Sequence, residues 1–149
     1  MIRIWLLLLS GMALTAAEPG VRAQFIGGTL AGVAAKSSAR LDLTGPEALV
    51  FRCGKTELNI AYQKINTLEY GQTVGRRYAA AILISPLLLL SKSRKHFVTI
   101  GYTDAEGRQQ ALVFRVEKGD IRAALAGLEA RTGRRIEYQD DEARKSGKE

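Results

Sequence analysis

The fold is decided by residues 49–71, which read LVFRCGKTELNIAYQKINTLEYG. Apolar side chains recur at every second position through much of this stretch, which is the period of a strand with one buried face. Gly54 and Lys55 separate two such runs and predict the tight turn of a β-hairpin. Ile65 and Leu68 continue the apolar pattern towards the end of the stretch. The stretch therefore predicts a mainly β domain.

Further strands are predicted upstream of this stretch. Residues 25–33 (FIGGTLAGV) indicate a bent first strand that carries glycine. A helix contact through Gly28 and Gly32 is the alternative interpretation. Residues 39–43 (ARLDL) alternate in the manner of a half-buried strand.

A second hairpin is predicted downstream, from residues 97–102 and 109–116. Gly107 lies between the two strands and can adopt the positive φ that the connecting loop needs. The core face of the second strand is predicted to carry Leu112, Phe114 and Val116. We expect its opposite face to be partly exposed, since that face carries Ala111, Val113 and Arg115.

One amphipathic helix is predicted to follow the strands. Asp120 is placed to cap its first turn with the side-chain carboxylate, and Gly133 is placed to end it. Residues 139–149 carry many charges and no aliphatic side chain larger than alanine, so we expect a disordered tail. The apolar stripe of the helix consists of Ile121, Ala124, Leu125 and Leu128.

The middle of the chain resembles the second to fourth strands of pleckstrin-homology-like and GRAM-like domains. The resemblance rests on the aromatic strand at Leu49–Phe51 and on the spacing of Ile60, Tyr62, Ile65 and Leu68. It implies a mainly β (α+β) fold over residues 25–138: a bent antiparallel two-sheet barrel capped by one C-terminal α-helix.

The lipid site of that family is not expected here. Pleckstrin-like domains usually bind lipid through basic residues in the loop between their first two strands, whereas residues 34–40 (AAKSSAR) are thinly charged. The chain is also similar to a group of uncharacterised exported bacterial proteins, a resemblance that brings no known activity. The shared stretches are GTLAG, LEYG, the double arginine and ARTGRR.

Residues 1–17 have the three-part layout of a secretory signal peptide. Arg3 precedes the apolar run IWLLLLSGMAL, and small residues follow it. We expect cleavage before Glu18, with a second option before Gln24. An uncleaved anchor is the alternative, but fourteen helical residues reach only about 21 Å, less than the ~30 Å apolar layer of a membrane. The sequence therefore predicts an exported protein of the periplasm or cell envelope.

Composition narrows the classes of function. The net charge is +7 and falls to +6 without residues 1–17, so the domain itself is basic and favours anionic partners. The single Cys53 and single His96 exclude an internal disulfide framework and a cluster of cysteine or histidine metal ligands. Nucleotide-binding loops and a catalytic triad spacing are absent, so we expect no enzyme, no cofactor and no metal. Export and the lack of a stacking motif also argue against a nucleic-acid partner.

The most unusual feature is an apolar block, residues 79–90, within an insertion at 78–91. The block has five leucines, two isoleucines and three alanines, broken only by Ser85 and Pro86. One helix over the insertion would be about 21 Å long, which suits an interfacial element better than a membrane span. The predicted membrane or partner contacts are Ile82, Leu83, Ile84, Pro86, Leu87, Leu88, Leu89 and Leu90. The predicted contacts to an anionic surface are Arg76, Arg77, Lys92, Arg94 and Lys95.

These patterns predict a non-enzymatic, envelope-associated binding module that contacts a membrane lipid surface through residues 76–95. Two other interpretations of the apolar block remain open. It can be a core element of its own domain, since apolar runs of 10–14 residues are often buried. It can also serve a structural or assembly protein in self-association or partner binding, which would give a homo-oligomer.

Overall fold

The computed structural model describes residues 19–73 and 95–146 of the chain. This part is mainly β, with one eight-stranded sheet and a C-terminal helix, as the sequence predicts at this level. The strands are β1 (Val21–Gly28), β2 (Ser37–Asp42), β3 (Ala48–Cys53), β4 (Thr56–Ala61), β5 (Ile65–Gly71), β6 (His96–Thr103), β7 (Gln109–Val116) and β8 (Glu137–Tyr138). The helices are α1 (Ile121–Thr132) and α2 (Asp141–Ser146), and a 3₁₀ turn spans Tyr62–Lys64.

The strand order across the sheet is β4-β3-β2-β1-β7-β6-β5-β8. All neighbouring pairs are antiparallel except β5 and β8, which run parallel, so the sheet is mixed. Its two edges are β4 and β8, and within the described residues the strands do not close into a hydrogen-bonded barrel.

Strand β1 joins the two halves of the sheet. It pairs with β2 on one side and with β7 on the other, and the register with β7 shifts between Phe25 and Gly27. Such a bulge bends a strand and increases its twist. The strand ends at Gly28, earlier than the predicted 25–33, because Gly32 and Lys36 have positive φ angles that belong to a turn.

The two predicted hairpins are both present. Gly54, at φ 58°, turns the chain between β3 and β4, and Gly107, at φ 79°, lies in the loop between β6 and β7. These left-handed angles favour glycine because it has no Cβ to clash with the backbone. The range predicted for β7, residues 109–116, matches the observed strand.

The main core lies on one face of the sheet, beneath α1. Phe25, Phe51 and Phe114 form its aromatic centre, with ring centroids 5.4 to 6.1 Å apart. The predicted apolar stripe of α1 is confirmed, since its four residues are buried in this core. The predicted end of the helix is confirmed too: Gly133 adopts φ 68° and its N–H donates to the Glu129 carbonyl.

The opposite face of the same sheet is also buried around β6 and β7. Strand alternation places Val113 opposite Thr99 on this face, away from the core pair Leu112 and Ile100. The expectation of partial exposure is therefore wrong for Ala111 and Val113, and only Arg115 keeps an accessible side chain. The buried members of this second face are 0–4% exposed: Ile26, Phe97, Thr99, Ala111 and Val113.

The N-cap prediction for Asp120 is wrong in its chemistry. Asp120 does precede α1, but its carboxylate makes no capping hydrogen bond. It lies 3.5 Å from the Arg22 guanidinium instead, because the start of α1 comes close to the start of β1. The helix begins on backbone hydrogen bonds, one of them from Ala124 N–H to the Asp120 carbonyl.

The segment expected to be a disordered tail carries regular structure as far as Ser146. The Gln139 N–H donates to the Tyr70 carbonyl, which extends the β5–β8 edge, and α2 follows. The Asp140 carboxylate accepts the Ala143 N–H at 2.6 Å and caps this helix. Ala143 is fully buried against the core, so one small apolar side chain anchors an otherwise charged segment.

Two predicted segments lie outside the described residues: the signal peptide at 1–17 and the apolar insertion at 78–91. Among the residues that are described, no helix is long and apolar enough to cross a membrane.

Candidate functional site

Only one of the residues predicted to contact a membrane or partner lies within the described part of the chain. Lys95 immediately precedes β6 and is half-buried. The remaining predicted contacts lie outside it: Arg76, Arg77, Ile82, Leu83, Ile84, Pro86, Leu87, Leu88, Leu89, Leu90, Lys92 and Arg94.

The two ends of the segment that holds these residues meet at one end of the sheet. Gly71, the last residue of β5, pairs with Phe97 at the start of β6. Paired residues of neighbouring antiparallel strands have Cα atoms about 4.5–5.5 Å apart. The chain therefore leaves and re-enters the sheet at adjacent positions, and Lys95 marks the point of return.

A basic surface surrounds this point of return. One groove of about 290 Å³ is lined by Lys95, His96, Arg115, Val116, Glu117 and Lys118. A second groove of about 320 Å³ shares Arg115 and Glu117 with the first and adds Arg22, Ala23, Gln24, Lys36 and Ser38. We call the five cations of these grooves the basic surface: Arg22, Lys36, Lys95, Arg115 and Lys118.

Two carboxylates reduce the charge of the basic surface only in part. Glu117 accepts a hydrogen bond from Arg115 at 3.3 Å, and Asp120 lies 3.5 Å from Arg22. Both ion pairs are solvent-accessible and therefore weak. The basic surface thus keeps a net positive charge, which suits contact with phosphate or carboxylate groups.

His96 lies beneath this surface as a packing residue. Its Nδ1 is 2.6 Å from the Tyr70 hydroxyl, and the two rings stack with an interplanar angle of 14°. Burial lowers the pKa of His96, the positive charge of Lys118 lowers it further, and Glu117 opposes this shift. The imidazole is therefore neutral at pH 7 and is held by Tyr70.

A separate cleft of about 540 Å³ is present elsewhere on the molecule. It runs between β4, the β1–β2 loop and the β6–β7 hairpin, and sequence reasoning missed it because these three elements are far apart along the chain. Its lining is Thr29, Leu30, Ala31, Leu58, Asn59, Ile60, Ala61, Lys64, Tyr102, Thr103, Asp104, Ala105, Glu106, Arg108 and Gln110.

The charges on the hairpin side of the cleft are paired with one another. The Arg108 guanidinium donates to Asp104 at 2.9 Å and to Glu106 at 3.3 Å. Desolvation acts to raise the pKa of Asp104, but hydrogen bonds from Arg108 and Gln110 outweigh it and lower that pKa. Asp104 therefore remains ionised and organises the loop, because it also accepts the backbone N–H groups of Glu106 and Arg108.

The described residues offer little for metal or thiol chemistry. Within 19–73 and 95–146, no group of three or more His, Cys, Asp or Glu is placed to hold a metal ion. Cys53 is buried and its Sγ lies 3.4 Å from the Ser38 carbonyl, so it packs as a small core side chain. No family model matches the chain, and no curated protein matches its sequence.

Proposed function

We propose that this protein is a non-enzymatic binding module of the cell envelope that contacts membrane lipid through residues 76–95. The observation that carries the proposal is the basic surface, which lies where that segment leaves and re-enters the sheet. Lys95 belongs both to the flank of the segment and to the first groove, so the two sources of attraction are adjacent.

The proposal combines two weak attractions. Seven leucine and isoleucine side chains in the apolar block supply roughly −3.5 kcal/mol at about −0.5 kcal/mol each. A lysine or arginine close to an anionic membrane adds about 1 kcal/mol. Stable peripheral anchoring usually needs two such signals together. The cations of the basic surface strengthen the second signal beyond what the flanking residues alone supply.

A pleckstrin-homology-like fold is part of the same proposal. Three features support this fold. Each of the strands β1–β7 is antiparallel to its neighbours, the bulged strand β1 joins the two halves of the sheet, and α1 packs over the core. Export through the predicted signal peptide at 1–17 would place this domain in the periplasm or envelope.

Flotation with lipid vesicles tests the membrane proposal. Residues 18–149, which retain every described strand and helix, are mixed with vesicles of phosphatidylcholine, with and without phosphatidylglycerol. Replacing Lys95→Gln and Lys118→Gln together removes about 2 kcal/mol of attraction and lowers partitioning into anionic vesicles roughly 30-fold. Deleting residues 79–90 abolishes flotation in both lipids.

A matched control separates local from general charge effects. Lys55→Gln with Lys64→Gln removes the same charge from positions that line neither groove of the basic surface. This variant should float like the unmodified domain. An equal loss in both double variants, or flotation unchanged by deleting 79–90, would contradict the proposal.

The apolar block of residues 79–90 also supports an alternative function. Phe97 and Val113, beside the point where residues 76–95 return to the sheet, are only 4% and 0% exposed, so the alternative rests on the apolar block and not on this face. In this alternative, the segment serves structure or assembly by self-association or partner binding, and no lipid is involved. A defined oligomer in light scattering, lost when residues 87–90 are changed to serine, would support it, together with failure to float.

A further inference from the structure

Within residues 19–73 and 95–146, strand β4 is an edge of the sheet and lacks the usual protection. Natural edge strands are commonly short, or carry lysine, proline or a bulge that prevents pairing with another chain. The opposite edge, β8, has only two residues, whereas β4 has six and pairs with β3 in an unbroken register. It contains neither lysine nor proline, and its one charged residue, Glu57, is bonded to Arg52 at 2.8 Å.

The register identifies which backbone groups of β4 face the free edge. The Tyr62 N–H donates to the Glu47 carbonyl at 3.0 Å, and these two residues continue the Ala48–Ala61 register. Hydrogen-bonded and non-hydrogen-bonded pairs alternate along an antiparallel ladder. Ile60 therefore directs its N–H and C=O towards β3, as do the alternate residues before it. The groups directed away from β3 belong to Glu57, Asn59 and Ala61, all of which are exposed.

The free edge borders the cleft of about 540 Å³. Asn59 and Ala61 both line it, and the facing walls are the β1–β2 loop and the β6–β7 hairpin. Apolar lining comes from Leu30, Leu58, Ile60 and Tyr102. The β1–β2 loop and the start of β7 are hydrogen-bonded to each other through Thr29 and Ala111, so the loop and the hairpin form one continuous wall across the cleft from β4. One extended segment fits between this wall and the free edge more readily than the edge strand of a second folded sheet.

We propose that this cleft binds an extended peptide as an additional strand along β4. The peptide backbone pairs with the free groups of Asn59 and Ala61, and its alternate apolar side chains contact the apolar lining. Main-chain hydrogen bonds supply the affinity in this mode, and side-chain pockets supply the selectivity. The ion pairs of Arg108 with Asp104 and Glu106 are complete without a ligand, so the peptide needs no particular charge there.

A proline variant tests the backbone contact directly. Ala61 has φ −57° and ψ 132°, which proline can adopt, and its N–H belongs to the free edge and not to the β3–β4 ladder. Ala61→Pro should therefore fold with an unchanged or higher Tm. Ala61→Ser, which retains the N–H, is the matched control.

The probe is a fluorescein-labelled, end-capped hexapeptide of alternating valine and threonine, titrated with the full chain and followed by anisotropy. The unmodified chain and Ala61→Ser should bind it alike, and Ala61→Pro should bind about tenfold more weakly. A second probe, N-methylated at alternate residues, keeps the side chains but cannot pair along one edge, and it should not bind.

Several results would overturn the assignment. Equal binding by Ala61→Pro, or binding of the N-methylated probe, would show that side chains alone recognise the ligand. Absence of saturable binding to the unmodified chain would also refute it. A dimer that becomes monomeric in Ala61→Pro would assign the free edge to a second copy of the chain instead of a peptide.

Discussion

Replacing Asp42 should destabilise the fold although it touches no part of either candidate site. Asp42 ends β2, is only 7% exposed, and accepts hydrogen bonds from the Thr44 N–H at 2.9 Å and the Thr44 hydroxyl at 2.6 Å. Arg52 adds a third bond at 3.1 Å from a side chain that is 40% exposed. These contacts hold the turn that connects β2 to β3.

The expected loss follows from the number and exposure of these bonds. A hydrogen bond to a charged acceptor is worth about 1.5–3 kcal/mol when buried, and the exposed Arg52 pair contributes less. Asp42→Ala should therefore lower the free energy of unfolding by about 3 kcal/mol. Asp42→Asn, which can still accept from Thr44, should lower it by about 1–1.5 kcal/mol. Urea denaturation at pH 7 measures both values.

The same interaction predicts a pH dependence. Hydrogen bonds from Thr44 and then Arg52 lower the pKa of Asp42 below 3.8, although burial opposes the shift. The carboxylate therefore contributes its full stability above pH 3.8, and this contribution disappears as pH falls from 3.8 through the lower folded-state pKa. The difference in the free energy of unfolding between the unmodified domain and Asp42→Asn should therefore become smaller over that pH range.

A control and a refuting result complete this test. Glu57→Gln removes an exposed partner of the same Arg52 and should change the free energy of unfolding by less than about 0.5 kcal/mol. An Asp42→Asn variant as stable as the unmodified domain at pH 7 would refute the reasoning. A difference in the free energy of unfolding between the two proteins that stays constant down to pH 3 would also refute it.

Three further predictions concern the core, its histidine and the C-terminal segment. Phe114→Ala should cost about 3–5 kcal/mol in urea denaturation, because Phe114 is fully buried between two aromatic rings; a loss below 1.5 kcal/mol would contradict this packing. Since burial lowers the pKa of His96, the free energy of unfolding should fall as pH drops below about 6.5, by at most about 1.4 kcal/mol per unit. In His96→Phe that slope should flatten, and an identical slope in both proteins would exclude His96 as its source. Ala143→Lys should lower the Tm, because it places a charge in a fully buried position, whereas Lys145→Ala at an exposed position should not; equal Tm values in a thermal scan would disprove the anchoring of α2.

Local patterns were sufficient to predict most of the strands. The hairpin around Gly54 and the one around Gly107 are encoded by alternation and by glycine at a turn, both of which act over a few residues. The buried stripe of α1 is likewise a local period. These elements could be predicted because their apolar faces and turns lie next to one another in sequence.

Features that depend on distant pairing could not be predicted. Burial of Val113 depends on what lies over the second face of the sheet, which alternation within β7 does not reveal. The position of α2 depends on long-range contacts, among them the burial of Ala143 against a core built by residues far upstream and the hydrogen bond from Gln139 to Tyr70. Asp120 has good capping chemistry, but the start of β1 brings Arg22 to it from far upstream in the chain.

The candidate sites show the same division. The apolar block and its basic flanks are visible in the sequence, but the grooves of the basic surface are lined by residues of β1, β2, β6 and β7 and by the residues after β7. Whether β4 is an interior strand or an edge is not visible in TELNIA at all, because it depends on which strand pairs beside it. The peptide cleft could therefore be found only from the structure.

The double pairing of β1 has a consequence for how the chain assembles. The hairpins β3–β4 and β6–β7 join neighbours in sequence, whereas Ala23 of β1 pairs with Val116 of β7 about ninety residues away. Contacts between distant parts of a chain form slowly, because closing a large loop costs conformational entropy before the contacts can stabilise the fold. During synthesis from the N-terminus, β1 has no second neighbour until β7 has emerged. We therefore expect the pairing of β1 with β7 to be the late, rate-limiting step of folding, which joins two separate groups of strands into one cooperative unit.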